Sequence, residues 1–167
     1  MTQSKWPLNG DLYRQKVLDD LKNSTIEVLA TMAMVEASLI DSREKAVFSL
    51  SGPVGGLIHL TGSGEGVFQE GMFGIAGEVG LISDLVARIV GLDAGELTKE
   101  DLLDGVAELA NMICGGMKSK GGIGPGRLSP PMAALGDGML LLWKTSKPTR
   151  LMRFQMAAGV LEVHASV

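Results

Sequence analysis

The chain has 167 residues, is 46% hydrophobic and 20% charged, and carries a formal net charge of −4 and a single cysteine, Cys114. That length suits one domain over residues 1–167 with a core of its own. The acidic balance argues against a nucleic-acid binder, which usually shows a basic stripe, and a lone thiol excludes an intrachain disulfide and a zinc cluster built from thiolates. The start, "MTQSKWPLNGDLYRQ", lacks a signal-peptide core, and no run reaches the ~18 apolar residues of a membrane span. The expected setting is therefore reducing and cytoplasmic, with neither membrane nor nucleic acid as partner.

In chain order, residues 11–37 read as one long helix, with Val17, Leu21, Ile26, Leu29 and Ala33 at helical spacing between polar residues. "REKAVFSLSG" then turns to strand character, "GPVGG" breaks it and "LIHLTG" resumes it, which is a hairpin signal. After "SGEG", the run "VFQEGMFG" is a further strand candidate. A second helix is expected over 77–91, with Val79, Ile82, Leu85, Val86 and Ile89 as its stripe and Gly91 as its C-terminal cap.

A third helix starts after Thr98, an N-cap residue. Asp101 stands three positions on, and Glu100 and Asp101 complement the positive end of the helix dipole. "KGGIGPG" is its exit loop. The remainder, "RLSPPMAAL", "GMLLLWK", "RLMRFQMAA" and "VLEVHAS", reads as strands. Pro130-Pro131 confines the first to an edge or an end, and alternation in the last predicts one solvated face. The order gives an α+β fold, a mostly antiparallel sheet with long helices packed on one face.

The third helix is unusual in composition. Leu102, Val106, Leu109 and Ile113 form its apolar stripe, widened by Leu103, Ala107, Ala110 and Cys114. Asp104, Glu108, Asn111, Gly115 and Lys118 share another, polar face. Asn is a mediocre helix former, and an interior Gly costs roughly 1 kcal/mol relative to Ala. Gly115 removes bulk where a partner would approach, and Gly116 serves packing or begins the helix end. A neutral amide donates and accepts hydrogen bonds, so Asn111 can orient a water without acting as a base. That suffices for phosphoryl hydrolysis, where catalysis is largely positioning and electrostatics. Walker loop, HExxH, CxxC and nucleophile elbow are all missing, so any metal or electrophile would belong to a partner.

Other features have plainer readings. "GSGEG" at 62–66 is a hairpin turn rather than a phosphate loop, since no G-x-x-x-x-G-K-[ST] follows. His59 and His164 lack neighbouring ligand residues, Cys114 reads as a small buried hydrophobe, and the methionines fill gaps in the core or an interface. Lys144, Lys147, Arg150 and Arg153 form a modest basic hairpin edge.

The stretch "LDAGELTKEDLLDGVAELANMICGGMKSK" (92–120) resembles the core signature of the CheC/CheX chemotaxis phosphatases, a helix with Glu-x-x-Asn followed by small residues. "FSLSGPVGGLIHL", "LISDLVARIVGL" and "LSPPMAALG" resemble the family's first hairpin, following helix and next strand. Segment 63–76 departs from it in being longer. The resemblance implies a phosphatase acting on the aspartyl-phosphate of a phosphorylated CheY-like response regulator in chemotaxis or related two-component signalling. Asn111 would orient the attacking water and Glu108 would pair with the regulator's active-site lysine. Asp104, Gly115 and Lys118 would lie in the binding face. No cofactor is implied on this chain, and Mg²⁺ is expected on the phosphorylated partner. "VLATM" (28–32) echoes "ELANM" (108–112), with Val28 and Thr31 where Glu108 and Asn111 stand. The resemblance therefore implies the single-site CheX-like branch, which forms homodimers. The alternative is a non-catalytic adaptor of the same fold that binds a receiver domain or a flagellar-switch component.

Overall fold

The computed structural model describes residues 10–62, 69–121 and 126–167. Helix α1 spans Gly10–Met32. Strands β1 (Ser38–Lys45), β2 (Phe48–Ser51), β3 (Val54–Thr61) and β4 (Glu70–Gly77) follow, then α2 (Val79–Val90) and α3 (Lys99–Ser119). The chain ends in β5 (Arg127–Leu128), β6 (Met132–Leu135), β7 (Leu140–Trp143), β8 (Thr149–Met156) and β9 (Gly159–Ser166). The main sheet runs β1-β8-β9-β4-β3-β5, with β6 also on β3, and its pairings are antiparallel. The three helices cover one face. The expected α+β architecture is the observed one.

Three expectations are corrected. The first helix ends at Met32, not near 37, because the chain turns there: Ala33 and Val35 both donate to Leu29 O, and Met34 adopts a left-handed φ of 55°. Residues 48–51 do not form a hairpin with β3. They pair with β7 instead, in a two-stranded ribbon, and "VGG" lies inside β3, whose hairpin partner is β4. The third correction concerns the face of β9 that carries Glu162 and His164. The ribbon covers it, so His164 is only 2% exposed.

Two glycines explain the ribbon. A Cβ at Gly55 would lie 2.8 Å from Leu50 Cδ2, and one at Gly74 would lie 3.1 Å from Phe48 Cζ. Their absence lets Phe48 and Leu50 sink onto the sheet with Met72 and Ala76 in a second small core. Phe48 meets Trp143 edge-on at 6.3 Å. His164 accepts from Lys45 Nζ at 3.4 Å through Nδ1, and its Nε2 lies 3.3 Å from Glu162. This hydrogen bond from His164 leads the influences that hold the Glu162 carboxyl below its ordinary range. β5 and β6 form one edge strand interrupted at Ser129-Pro130-Pro131, where proline is tolerated. The exit loop of α3 and the turn after β3 fall largely on 122–125 and 63–68, outside the described residues.

The larger core lies between sheet and helices, with Ile58, Phe73, Ile82, Leu85, Val106, Leu109, Ile113, Phe154 and Val163 fully buried. Within it, Gly105 of α3 faces Val86 of α2 so closely that a Cβ there would collide with both Val86 methyls. Overpacking of this kind typically costs 1–3 kcal/mol. Gly105→Ala is expected to lower the urea midpoint by a stability loss of about 1–3 kcal/mol, with an unchanged denaturant slope. An unchanged midpoint would show that α2 yields freely.

Candidate functional site on the outward face of α3

The sequence of α3 sets its start. Thr98 Oγ1 accepts from the Asp101 backbone N–H at 3.1 Å, and Asp101 Oδ2 accepts from both the N–H and the hydroxyl of Thr98 at 2.8 Å. This capping box satisfies backbone donors that helix geometry leaves free. The donation from the Thr98 backbone, then from its hydroxyl, lowers the Asp101 carboxyl from its ordinary pKa. At the other end Lys120 N–H bonds to Gly116 O at 3.2 Å.

Rotation about the axis is fixed from beneath. Gly56 of β3 allows the sheet backbone to come up against the helix, since a Cβ there would lie 2.9 Å from Val106 O and 3.2 Å from Ala110 Cβ. A helix advances about 100° per residue, so with Val106 as zero the buried Leu102, Leu109, Ala110, Ile113 and Met117 fall within about 60° either side. On the same scale Asp104, Glu108, Asn111, Gly115 and Lys118 fall at about 120° to 200°. The five candidate residues lie opposite the stripe that anchors the helix, in a row about 21 Å long from Asp104 to Lys118. Asp104, Glu108 and Lys118 are exposed, while Asn111 and Gly115 are half-exposed.

Glu108 and Asn111 are a helical turn's neighbours, separated by about 4.5 Å of rise and about 60° of rotation. Among the described residues, neither side chain has a hydrogen-bond or ion-pair partner. Both are thus available to an incoming molecule without a competing contact. On the neighbouring α1 side, Lys120 pairs with Glu27 at 2.7 Å, and Lys16 pairs with Asp20 at 2.5 Å. Beside the start of the helix, an apolar cleft of about 640 Å³ opens between Val79, Ser83, Leu97, Leu103 and Leu135.

The adjacent glycines separate in role. A Cβ at Gly116 would collide with Ser24 Oγ of α1, whereas one at Gly115 would meet nothing within 4 Å among the described residues. Gly116 thus leaves room for the Ser24 hydroxyl, while packing among the described residues gives no reason for Gly115. Cys114 is buried, and burial pushes its thiol well above the ordinary range, so it plays no nucleophilic part. The echo on α1 makes no second site. Val28 is half-buried against α3, 4.0 Å from where a Gly116 Cβ would stand, and the Thr31 hydroxyl donates to its own helix at Glu27 O, 2.8 Å away. Reading the sequence missed Ser24, Gly56 and Gly105. Ser24 left a faint signal, a small hydroxyl among the large apolar residues of an inward helix face.

Residues 54–155 match the family model described as chemotaxis phosphatase CheX. No curated protein matches the chain. The fold is similar to that of a chemotaxis protein CheX from Desulfovibrio desulfuricans, at 21% identity over 90% of this chain and 97% of that one, with a TM-score of 0.76. It is similar also to a chemotactic CheC-like protein from Shewanella oneidensis MR-1, at 25% identity over 90% and 97% of the two chains, TM-score 0.75. A third likeness is to a structure of the CheX–CheY–BeF3–Mg²⁺ complex from Borrelia burgdorferi, at 18% identity over 90% and 96%, TM-score 0.67. Among the described residues no helix is long and apolar enough to cross a membrane.

The open space beside Gly115 carries a stability consequence. Gly115→Ala is expected to raise stability by about 0.5–1 kcal/mol, the helix-interior difference between the two residues, opposite in sign to Gly105→Ala. Thermal or urea denaturation checks it, and a loss of stability would reveal a packing role for Gly115.

Proposed function

The chain belongs to the CheX family of chemotaxis phosphatases, and we propose that its outward α3 face hydrolyses the aspartyl-phosphate of a CheY-type response regulator. The observation that carries this reading is the pairing of an exposed Glu108 with a half-exposed Asn111 on one helix face, both without partners among the described residues. An Asn on a surface helix has no electrophile or metal of its own to use, so the reacting group arrives with the partner. The solved CheX–CheY complex from Borrelia burgdorferi supports a regulator of that kind.

In this reading the rigid helix enters the regulator's phosphorylation site. Asn111 holds a water with its amide, the carbonyl oxygen accepting one water O–H. The water oxygen attacks phosphorus, the bond from phosphorus to the aspartyl oxygen breaks, and the products are free aspartate and inorganic phosphate. Little covalent work falls to the chain, because placing the water in line is the main contribution. Glu108 docks a lysine beside the phosphate, and Mg²⁺ would be held by the regulator. Asp104 and Lys118 extend the contact at either end, and Gly115 lets the partner's backbone come close. A single Glu-x-x-Asn site, with Val28 and Thr31 in the echo positions, accords with the CheX-like branch, and a homodimer is part of the proposal. A non-catalytic adaptor would bind the phosphorylated regulator through the same face without shortening the life of its phosphate.

The two side chains are expected to fail differently. Asn111→Ala should abolish accelerated phosphate loss, at least 100-fold in kcat, with binding to the regulator and the circular-dichroism spectrum retained. Glu108→Ala should raise KM by about tenfold or more, the loss of a charged contact. Phosphate-release kinetics on a phosphorylated regulator separate them. An Asn111→Ala chain that still accelerates the reaction would sink the water-positioning role.

A further inference from the structure

Helix α1 grips α3 at one notch, in the turn that follows Asn111. Ser24 is 1% exposed, and its hydroxyl donates to Ile113 O at 2.7 Å. Opposite stands Gly116, where a Cβ would collide with Ser24 Oγ and lie 3.3 Å from Ser24 Cβ. The serine oxygen therefore occupies the space that a side chain at 116 would take. Ile113 is two residues past Asn111, and Gly116 is the next residue after Gly115.

Packing alone does not call for a serine here. A buried hydroxyl needs a partner, and an alanine would fill nearly the same volume without that need. In an α-helix the Ile113 carbonyl already serves the amide four residues on. The bond from Ser24 is thus an addition to a satisfied ladder, and what it adds is direction. It pins α3 against rotation about its axis and against sliding along α1. A turn of about 10° would move a side-chain tip roughly 6 Å from the axis by about 1 Å, and a misplacement of about 1 Å can cost a catalytic step 100-fold.

We propose that Ser24 is a positioning residue for the hydrolysis, which through Ile113 O and the Gly116 notch fixes the rotation of α3 and so the aim of the Asn111 amide. This rests on the reading of Asn111 as the residue that holds the water. Ser24 itself touches neither water nor phosphate, and it lies outside the family-matched segment 54–155.

The test measures kcat and KM of the full chain on a phosphorylated CheY-type regulator for Ser24→Ala, Gly116→Ala and the double variant Ser24→Gly/Gly116→Ala. Each single variant is expected to lower kcat about five- to tenfold with KM unchanged. The double variant, whose new methyl fills the vacated notch but which lacks the hydroxyl, should stay as slow as Ser24→Ala, to within about twofold. Wild-type kcat in folded Ser24→Ala, a loss expressed in KM, or full recovery in the double variant would overturn the proposal. A second readout needs no turnover: the side-chain amide NMR signals of Asn111 should shift in the single variants and remain shifted in the double. If the wild-type chain does not accelerate phosphate loss, the phosphatase reading itself has failed, and those amide signals decide the positional claim alone, with unshifted signals counting against it.

Discussion

Helix α3 lies closer to its neighbours than side chains at Gly56, Gly105 and Gly116 would allow, and the outward face depends on that closeness. The sheet meets it at Val106 and Ala110, α2 at Gly105, and α1 at Gly116. Three contacts from three elements leave a rigid rod little freedom to roll. Interiors packed at this density transmit position faithfully, so an anchored inner stripe sets where Glu108 and Asn111 point. The ribbon on the far face serves the same end indirectly. By covering the back of β3 and β4 with Phe48 and Leu50, it buries both faces of the strands on which α3 rests.

The pair Gly115-Gly116 shows one residue type serving two ends. Gly116 is demanded by a serine on α1. Gly115 is demanded by nothing within the described chain, and in a helix interior it carries a propensity penalty. A feature that costs stability at a surface, beside two polar side chains unpartnered among the described residues, fits the proposed approach of a partner from outside. Function in this fold is a matter of presentation. In the proposed reading the chain supplies a neutral amide and a carboxylate in fixed relation, and the partner would supply charge, metal and the bond to be broken. That division suits phosphoryl transfer, where placement and electrostatics dominate over covalent chemistry.

Much of this was legible in the sequence because it is local. The capping box at Thr98, the stripe of Leu102, Val106, Leu109 and Ile113, and the polar row from Asp104 to Lys118 all follow from helical periodicity, and the structure has them as expected. The Pro130-Pro131 break at the sheet edge followed from the missing amide hydrogens. What was not legible is non-local. Nothing near Phe48 announces that its strand pairs with Leu141 and its neighbours some ninety residues on rather than with the adjacent run. Gly55 and Gly56 read as a turn because glycine usually marks one, yet here they make room within a strand for a side chain on one face and a helix on the other. The alternation of β9 is plain in its sequence, but the burial of His164 on the expected solvated face is not, since it depends on the ribbon. Gly105 and Ser24 carry no local pattern at all. Their roles exist only once Val86 and Gly116 are opposite them.

The most direct measurement is the lifetime of the phosphate on a phosphorylated CheY-type regulator, with Mg²⁺, at increasing concentrations of the wild-type chain. Presentation of Asn111 on a rigid face predicts phosphate loss that speeds up with chain concentration and then saturates, as the regulator becomes fully docked. Docking detected at the same concentrations, with phosphate lost only at the regulator's own rate, would contradict it.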